Sequence, residues 1–139
     1  MLTGEDGVAT ALLLRKGHKI AYVADAIVKH SHRYSLAEEF KRYFDTGIER
    51  HRFKDLFFIG GLDEKRGAAF FRSMLLRLLK EQPHSIPYAI VNTAMKYLGY
   101  KAGQYANFIP QKFWKSFSSQ PYFWNTTIGK DLVQKFYQN

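Results

Sequence analysis

Three small groups of side chains in the first part of this sequence have the types and spacing of chemistry. Glu5-Asp6 sets two carboxylates side by side at the start of a helical pattern. A carboxylate next to a substrate hydroxyl can act as a general base. The plain alternative is a pair of acids favoured by the dipole of a helix N-terminus. His30-Ser31-His32 closes a short apolar segment. In an extended chain residues i and i+2 point to one face, so the two imidazoles can share a metal or a phosphate. Neutral imidazole is a common ligand of Mn and Zn, and a simple surface pair is the alternative. Arg42 lies one turn after Glu38. Its planar guanidinium suits phosphate oxygens in bidentate geometry. The alternative there is an i,i+4 pair with Glu38, worth about 0.2–0.5 kcal/mol.

Other chemistries are absent from the sequence. It has no cysteine, which excludes a thiolate metal site and a disulfide framework and fits a reducing compartment. There is no glycine-rich phosphate loop of the Walker or dinucleotide type and no nucleophile elbow. Asn125-Thr126-Thr127 spells a glycosylation sequon, read as chance because no secretory signal is evident at the N-terminus.

The elements that must position these residues follow from periodicity and punctuation. Val8, Ala11, Leu12 and Arg15 step at helical spacing, so Glu5 to Lys16 reads as a helix stopped by Gly17. His18–Val23 and Ala26–His30 read as two short strands around an Ala24-Asp25 turn, from length and β-branched content. Ser35-Leu36-Ala37-Glu38 is a capping box. The helix it opens runs to about Phe57, with Leu36, Phe40, Phe44 and Ile48 on one stripe. Ile59-Gly60-Gly61 breaks the pattern and is the best boundary candidate. Glu64–Glu81 is strongly amphipathic and ends before Pro83. A further helix starts at Pro87 and stops near Gly99 or Gly103. From Asn107 the chain is aromatic and irregular, with a last short helix over Gly129–Tyr137.

At 139 residues the chain is long enough to bury a core. Its charge is unevenly placed. Residues 1–64 carry ten Lys and Arg against ten Asp and Glu, whereas residues 65–139 carry eleven against Glu81 and Asp131, so the net charge of +9 sits in the second half. A basic, aromatic half suits an anionic partner, with a merely solvated basic face as the plain alternative. No apolar run approaches the roughly 20 residues that span a bilayer.

The order of the pieces resembles a known family. Gly4-Glu5-Asp6, Arg15 to Ile20, Ala21 to Ala26, His30-Ser31-His32, Tyr34-Ser35-Leu36 and Phe40 to Gly47 together look like the second half of a family 2 inverting glycosyltransferase with the GT-A fold. The likeness is to bacterial rhamnosyltransferases of O-antigen and cell-wall polysaccharide assembly. Met95 to Lys101 extends it more weakly. The resemblance implies that Asp6, beside Glu5, deprotonates the acceptor hydroxyl. It implies that His30, with His32 as runner-up, helps hold a divalent metal (Mn or Mg) on the donor diphosphate, and that Arg42 faces that diphosphate. The implied partners are a nucleotide-sugar donor of the dTDP-rhamnose kind and a lipid-linked glycan acceptor. The family's nucleotide-binding half and its Asp-x-Asp motif have no counterpart in these residues, so the chain reads as a C-terminal piece that is inactive alone.

The expected fold is therefore predominantly α. Residues 1–59 would be the α/β end of a GT-A catalytic domain, one helix and a short β-hairpin, and residues 60–139 a basic helical C-terminal region. The expected location is the cytoplasm, peripheral on the inner face of the cytoplasmic membrane, where Glu64–Glu81 could lie at the lipid surface. The competing reading is a non-enzymatic basic helical module for self-association, as a homo-oligomer, or for membrane or nucleic-acid binding. Nucleic acid ranks last because the aromatics fall at core-like spacing and no recognised motif appears.

Overall fold

Gly4 adopts φ 77° and Gly17 φ 85°, the left-handed region that glycine enters without cost. Between them lies α1, Glu5–Arg15, stopped by glycine as the sequence predicts. In this computed structural model residues 1–28, 32–57 and 63–138 are described. The remaining helices are α2 (Leu36–Arg52), α3 (Lys54–Phe57), α4 (Asp63–Glu81), α5 (Ile86–Gln104), α6 (Trp114–Phe117) and α7 (Thr127–Gln138). Single 3-10 turns lie at Pro83–Ser85, Ala106–Phe108, Gln111–Phe113 and Phe123–Asn125.

The chain is mostly helical, as expected, but the β-hairpin is not there. Among the described residues no strand forms. The predicted turn at Ala24-Asp25 does form, closed by the Ala26 N–H donating to the Val23 carbonyl at 3.2 Å. Tyr22, Ile27 and Val28 around it are almost fully exposed. A strand needs a neighbour for its backbone groups, and an isolated two-stranded hairpin is marginal in water. With no sheet beneath it, the β-branched sequence has nothing to pair with. The expected domain boundary, Ile59-Gly60-Gly61, lies outside the described residues, as does the end of the second predicted strand at His30.

Two closely packed helices organise the molecule. The Ser35 hydroxyl accepts from the Glu38 N–H, and the Glu38 carboxylate accepts from the Ser35 N–H at 2.8 Å, so α2 starts on a complete capping box. Its apolar stripe lands where predicted, with Phe44 and Ile48 fully buried. α2 crosses α5 at backbone-to-backbone range. A Cβ on Gly47 would strike the Tyr100 carbonyl oxygen, one on Gly99 the Phe40 carbonyl, and one on Gly103 the Phe44 carbonyl. Gly99 and Gly103 therefore sit inside α5 and make the crossing possible, and the helix ends only at Gln104.

The aromatic C-terminal stretch closes over this crossing. Phe44, Ile48, Ala106, Trp114, Trp124 and Phe136 belong to one buried cluster. Trp114 meets Trp124 and Phe136 edge-on, with ring centroids 5.2 and 5.5 Å apart, in the favoured T-shaped geometry. The Trp114 indole N–H donates to the Ile109 carbonyl at 2.9 Å. What reads in sequence as an irregular tail is thus much of the core.

Candidate functional site: a basic groove at Arg42

α2 presents Arg42 to solvent, one turn before the buried Asp45 and two before the buried Glu49. Two cavities meet at Arg42. One, of about 320 Å³, is lined by Leu2, Thr3, Glu39, Tyr43, Lys96 and others; the second, of about 490 Å³, by Tyr34, Lys41, Lys115, Ser118 and Pro121 among others. Arg42, Ser119 and Gln120 line both. Together they form a groove between α2 and the 118–121 loop, within the range of about 300–1,000 Å³ usual for small-molecule sites.

The groove is cationic. Arg42, Lys41, Lys96 and Lys115 line it, against Glu38 and Glu39. Both acids are engaged. Glu38 is held by Ser35, and those hydrogen bonds lower its pKa below the ordinary value. Glu39 lies 3.3 Å from the Lys96 ammonium and 3.9 Å from the Arg42 guanidinium. Arg42 is seated over the Tyr34 ring at 4.1 Å from its centroid, a cation–π contact that fixes the guanidinium without consuming its N–H donors. The groove can therefore bind an anion, and a phosphate or diphosphate matches the guanidinium fork.

The far wall of the groove is fastened by a buried carboxylate. Asp45 is fully buried, and its Oδ2 accepts from the Ser119 N–H at 2.8 Å and the Ser119 hydroxyl at 2.5 Å. Its Oδ1 is buried without a hydrogen-bond partner. Desolvation raises the Asp45 pKa above the ordinary carboxylate value, outweighing the hydrogen bonds from Ser119 and Ser118. One turn on, Glu49 is also buried and accepts from the Leu2 N–H at 2.7 Å, which ties the N-terminal segment to the same helix. Sequence reasoning assigned no role to Asp45, Glu49, Ser119 or Gln120. The available signal was two acids on the apolar side of α2, flanking the Phe44–Ile48 stripe.

Of the residues singled out in the sequence, Arg42 and His32 come together. Both contact Tyr34, the His32 ring at 5.4 Å between centroids. His30 lies outside the described residues. Glu5 and Asp6 occupy the first turn of α1, are exposed, and make no ion pair among the described residues. The Asp6 Oδ1 accepts from the Gly7 N–H at 2.7 Å, as a helix-start acid does. The pair begins two residues after Thr3, which lines the groove. As for a metal, no three His, Asp or Glu side chains converge among the described residues. The described residues alone do not make a metal site.

Comparison with known proteins places the groove in context. Over 128 residues the chain is 38% identical to an O-antigen chain rhamnosyltransferase of Salmonella typhimurium (RfbN). It is equally identical over 128 residues to an O-antigen chain rhamnosyltransferase of Salmonella anatum (WbaN). The chain is thus similar to proteins named O-antigen chain rhamnosyltransferase. Each match covers 89% of this chain. The chain spans about 40% of the length of these curated relatives. No protein-family model matches the chain, and no solved structure matches it.

Proposed function

We propose that this chain is the segment of a glycosyltransferase that carries the acceptor base and part of the donor-diphosphate site. In the intact enzyme it would serve transfer of a sugar, rhamnose, from a nucleotide-sugar donor to a lipid-linked O-antigen or polysaccharide acceptor. The observation that carries this reading is the 38% identity to O-antigen chain rhamnosyltransferases along nearly the whole chain. The cationic groove supports it, because the leaving group of such a donor is a nucleoside diphosphate.

In this reading the acceptor hydroxyl oxygen attacks the anomeric carbon of the donor. The bond from that carbon to the diphosphate oxygen breaks, and the nucleoside diphosphate departs with the electron pair. The proton of the acceptor hydroxyl passes to Asp6, with Glu5 beside it. Arg42 neutralises charge on the departing diphosphate, a role that its seat over Tyr34 favours by holding the guanidinium in place. His30, with His32, is the proposed contribution to a divalent metal, Mn or Mg, on the same diphosphate. Because the chain spans about 40% of its relatives, the 139 residues alone are not expected to transfer sugar. The similarity also favours this reading over a purely structural basic module.

The test is a transfer assay on a full-length enzyme that contains this segment. Asp6→Asn should lower kcat by about 10²–10⁴-fold, the usual contribution of a general base, and leave donor binding intact. Arg42→Ala should raise the donor KM. Transfer that survives Asp6→Asn at the original rate removes Asp6 as the base, and an Arg42→Ala enzyme with unchanged donor kinetics removes the groove from the donor site.

A further inference from the structure

The loop across the groove from Arg42 has a fixed backbone and an uncommitted side chain. The Ser118 N–H donates to the Trp114 carbonyl at 2.9 Å, and Ser119 is fastened to the buried Asp45. The Gln120 N–H donates to the Ser118 hydroxyl oxygen at 2.9 Å. The Gln120 carbonyl accepts from the Phe123 N–H at 3.0 Å. Both backbone groups of Gln120 are therefore satisfied. Its side-chain amide is exposed, lines both cavities with Arg42, and makes no hydrogen bond among the described residues. That amide offers two N–H donors and a carbonyl acceptor, held on a loop that needs no ordering before it binds.

Polar neighbours of Gln120 are engaged elsewhere. The Ser119 hydroxyl donates to Asp45, the Thr46 hydroxyl to the Arg42 carbonyl at 3.0 Å, and the Lys115 ammonium to the Asn125 side-chain carbonyl at 2.6 Å. A phosphate on Arg42 would leave most of either cavity, about 320 and 490 Å³, empty. The ligand therefore has a body beyond its anion. The lining around Gln120 is mainly polar, with Thr3, Thr46 and Ser119 in the same cavity. Tyr43 there already carries the Lys96 ammonium 5.7 Å from its ring centroid, and Tyr34 carries Arg42. Polar walls suit a polyhydroxylated body better than a planar base, which binds by stacking on aromatic rings. We propose that Gln120 hydrogen-bonds the hydroxyls of the transferred sugar while Arg42 holds the diphosphate, so that Gln120 is a specificity-determining residue of the groove. Thr3 leads from this cavity to Glu5-Asp6, and a transferred sugar lies between its base and its diphosphate. This inference rests on the reading of the groove as part of the donor site and adds the residue that reads the sugar.

The experiment is calorimetric titration of a full-length enzyme that contains this segment, with dTDP-rhamnose and with dTDP, in the absence of acceptor. Gln120→Ala should weaken dTDP-rhamnose about tenfold, the loss of one or two hydrogen bonds, and leave dTDP within about twofold. Circular dichroism should not change, because the bonds that hold Gln120 in its loop are made by its backbone. Gln120→Glu brings a negative charge beside Arg42 and should weaken both ligands. The proposal is overturned if Gln120→Ala weakens the two ligands equally, which would assign Gln120 to the nucleotide or the diphosphate. It is also overturned if Gln120→Ala changes neither. Arg42→Ala separates this failure from failure of the groove itself. Where Arg42→Ala weakens both ligands and Gln120→Ala neither, the groove stays in the donor site and only the sugar-reading role is lost. Where Arg42→Ala changes neither ligand, the groove reading falls and this inference with it.

Discussion

Asp45 is the residue whose chemistry the fold most constrains. Its carboxylate holds the 118–121 loop through Ser119, and burial raises its pKa. Between the ordinary carboxylate pKa and the raised one, the folded state holds a proton that the unfolded chain has lost. Stability from this group is therefore fully present at low pH and lost as pH rises through the folded pKa. Asp45→Asn keeps a carbonyl oxygen for Ser119 and removes the charge. Its stability relative to the parent should improve as pH rises from about 4 to about 7, read from urea midpoints at the two values. A difference that stays constant or runs the other way would mean that Asp45 is ionised without cost. Some single-residue features are legible from sequence and others are not, and sequence distance separates them. The Ser35–Glu38 capping box joins residues three apart and can be read directly. The Asp45–Ser119 latch joins residues 74 apart, and nothing local to Asp45 announces it. Arg42 stands out in the sequence as a candidate phosphate ligand, whereas its seat on Tyr34 and its neighbours Lys115 and Gln120 come from the fold.

At the level of elements, the long helices could be read because stripes and stops are local signals, to which α2 adds a side-chain cap. The two short strands failed because β-structure depends on partners that a local pattern cannot supply, and the described residues offer none. Glycine serves two different purposes, and α5 does end at Gln104, next to Gly103. Gly17 is a stop with positive φ, whereas Gly99 and Gly103 are helical and serve close approach to α2. Spacing hints at the difference, since Gly99 and Gly103 are one turn apart and share a face. Gly103→Ala is the sharpest test. Its methyl would meet the Phe44 carbonyl oxygen, a backbone atom that cannot move without shifting α2. A destabilisation of about 1–3 kcal/mol is expected, the usual cost of overpacking a close contact, measured by urea unfolding. Gly67→Ala on α4 serves as the control. That glycine has open space around it, so alanine should be neutral or mildly stabilising through helix propensity. Equal effects at the two sites would contradict the close crossing.

For the molecule as a whole, core and charge divide the chain differently. Net charge sits wholly in residues 65–139, yet the buried cluster draws α2 from the first half together with the aromatic tail from the second. Composition revealed the charge division, but the core division needed three-dimensional contacts. The same cluster determines what light reports about this protein. Both tryptophans of the chain lie inside it, Trp114 at 1% and Trp124 at 5% exposure. Intrinsic emission should therefore be blue-shifted in the native state and should follow the α2–α5–α7 core alone. It is blind to α1, to the segment after it and to α4. The far-ultraviolet signal counts every helix, α4 included. On warming, ellipticity should begin to fall before the emission maximum moves, because α4, none of whose described side chains is buried, frays below the global transition. Coincident curves would mean that α4 melts with the core. Tryptophan emission by itself would make the chain look more uniformly folded than it is.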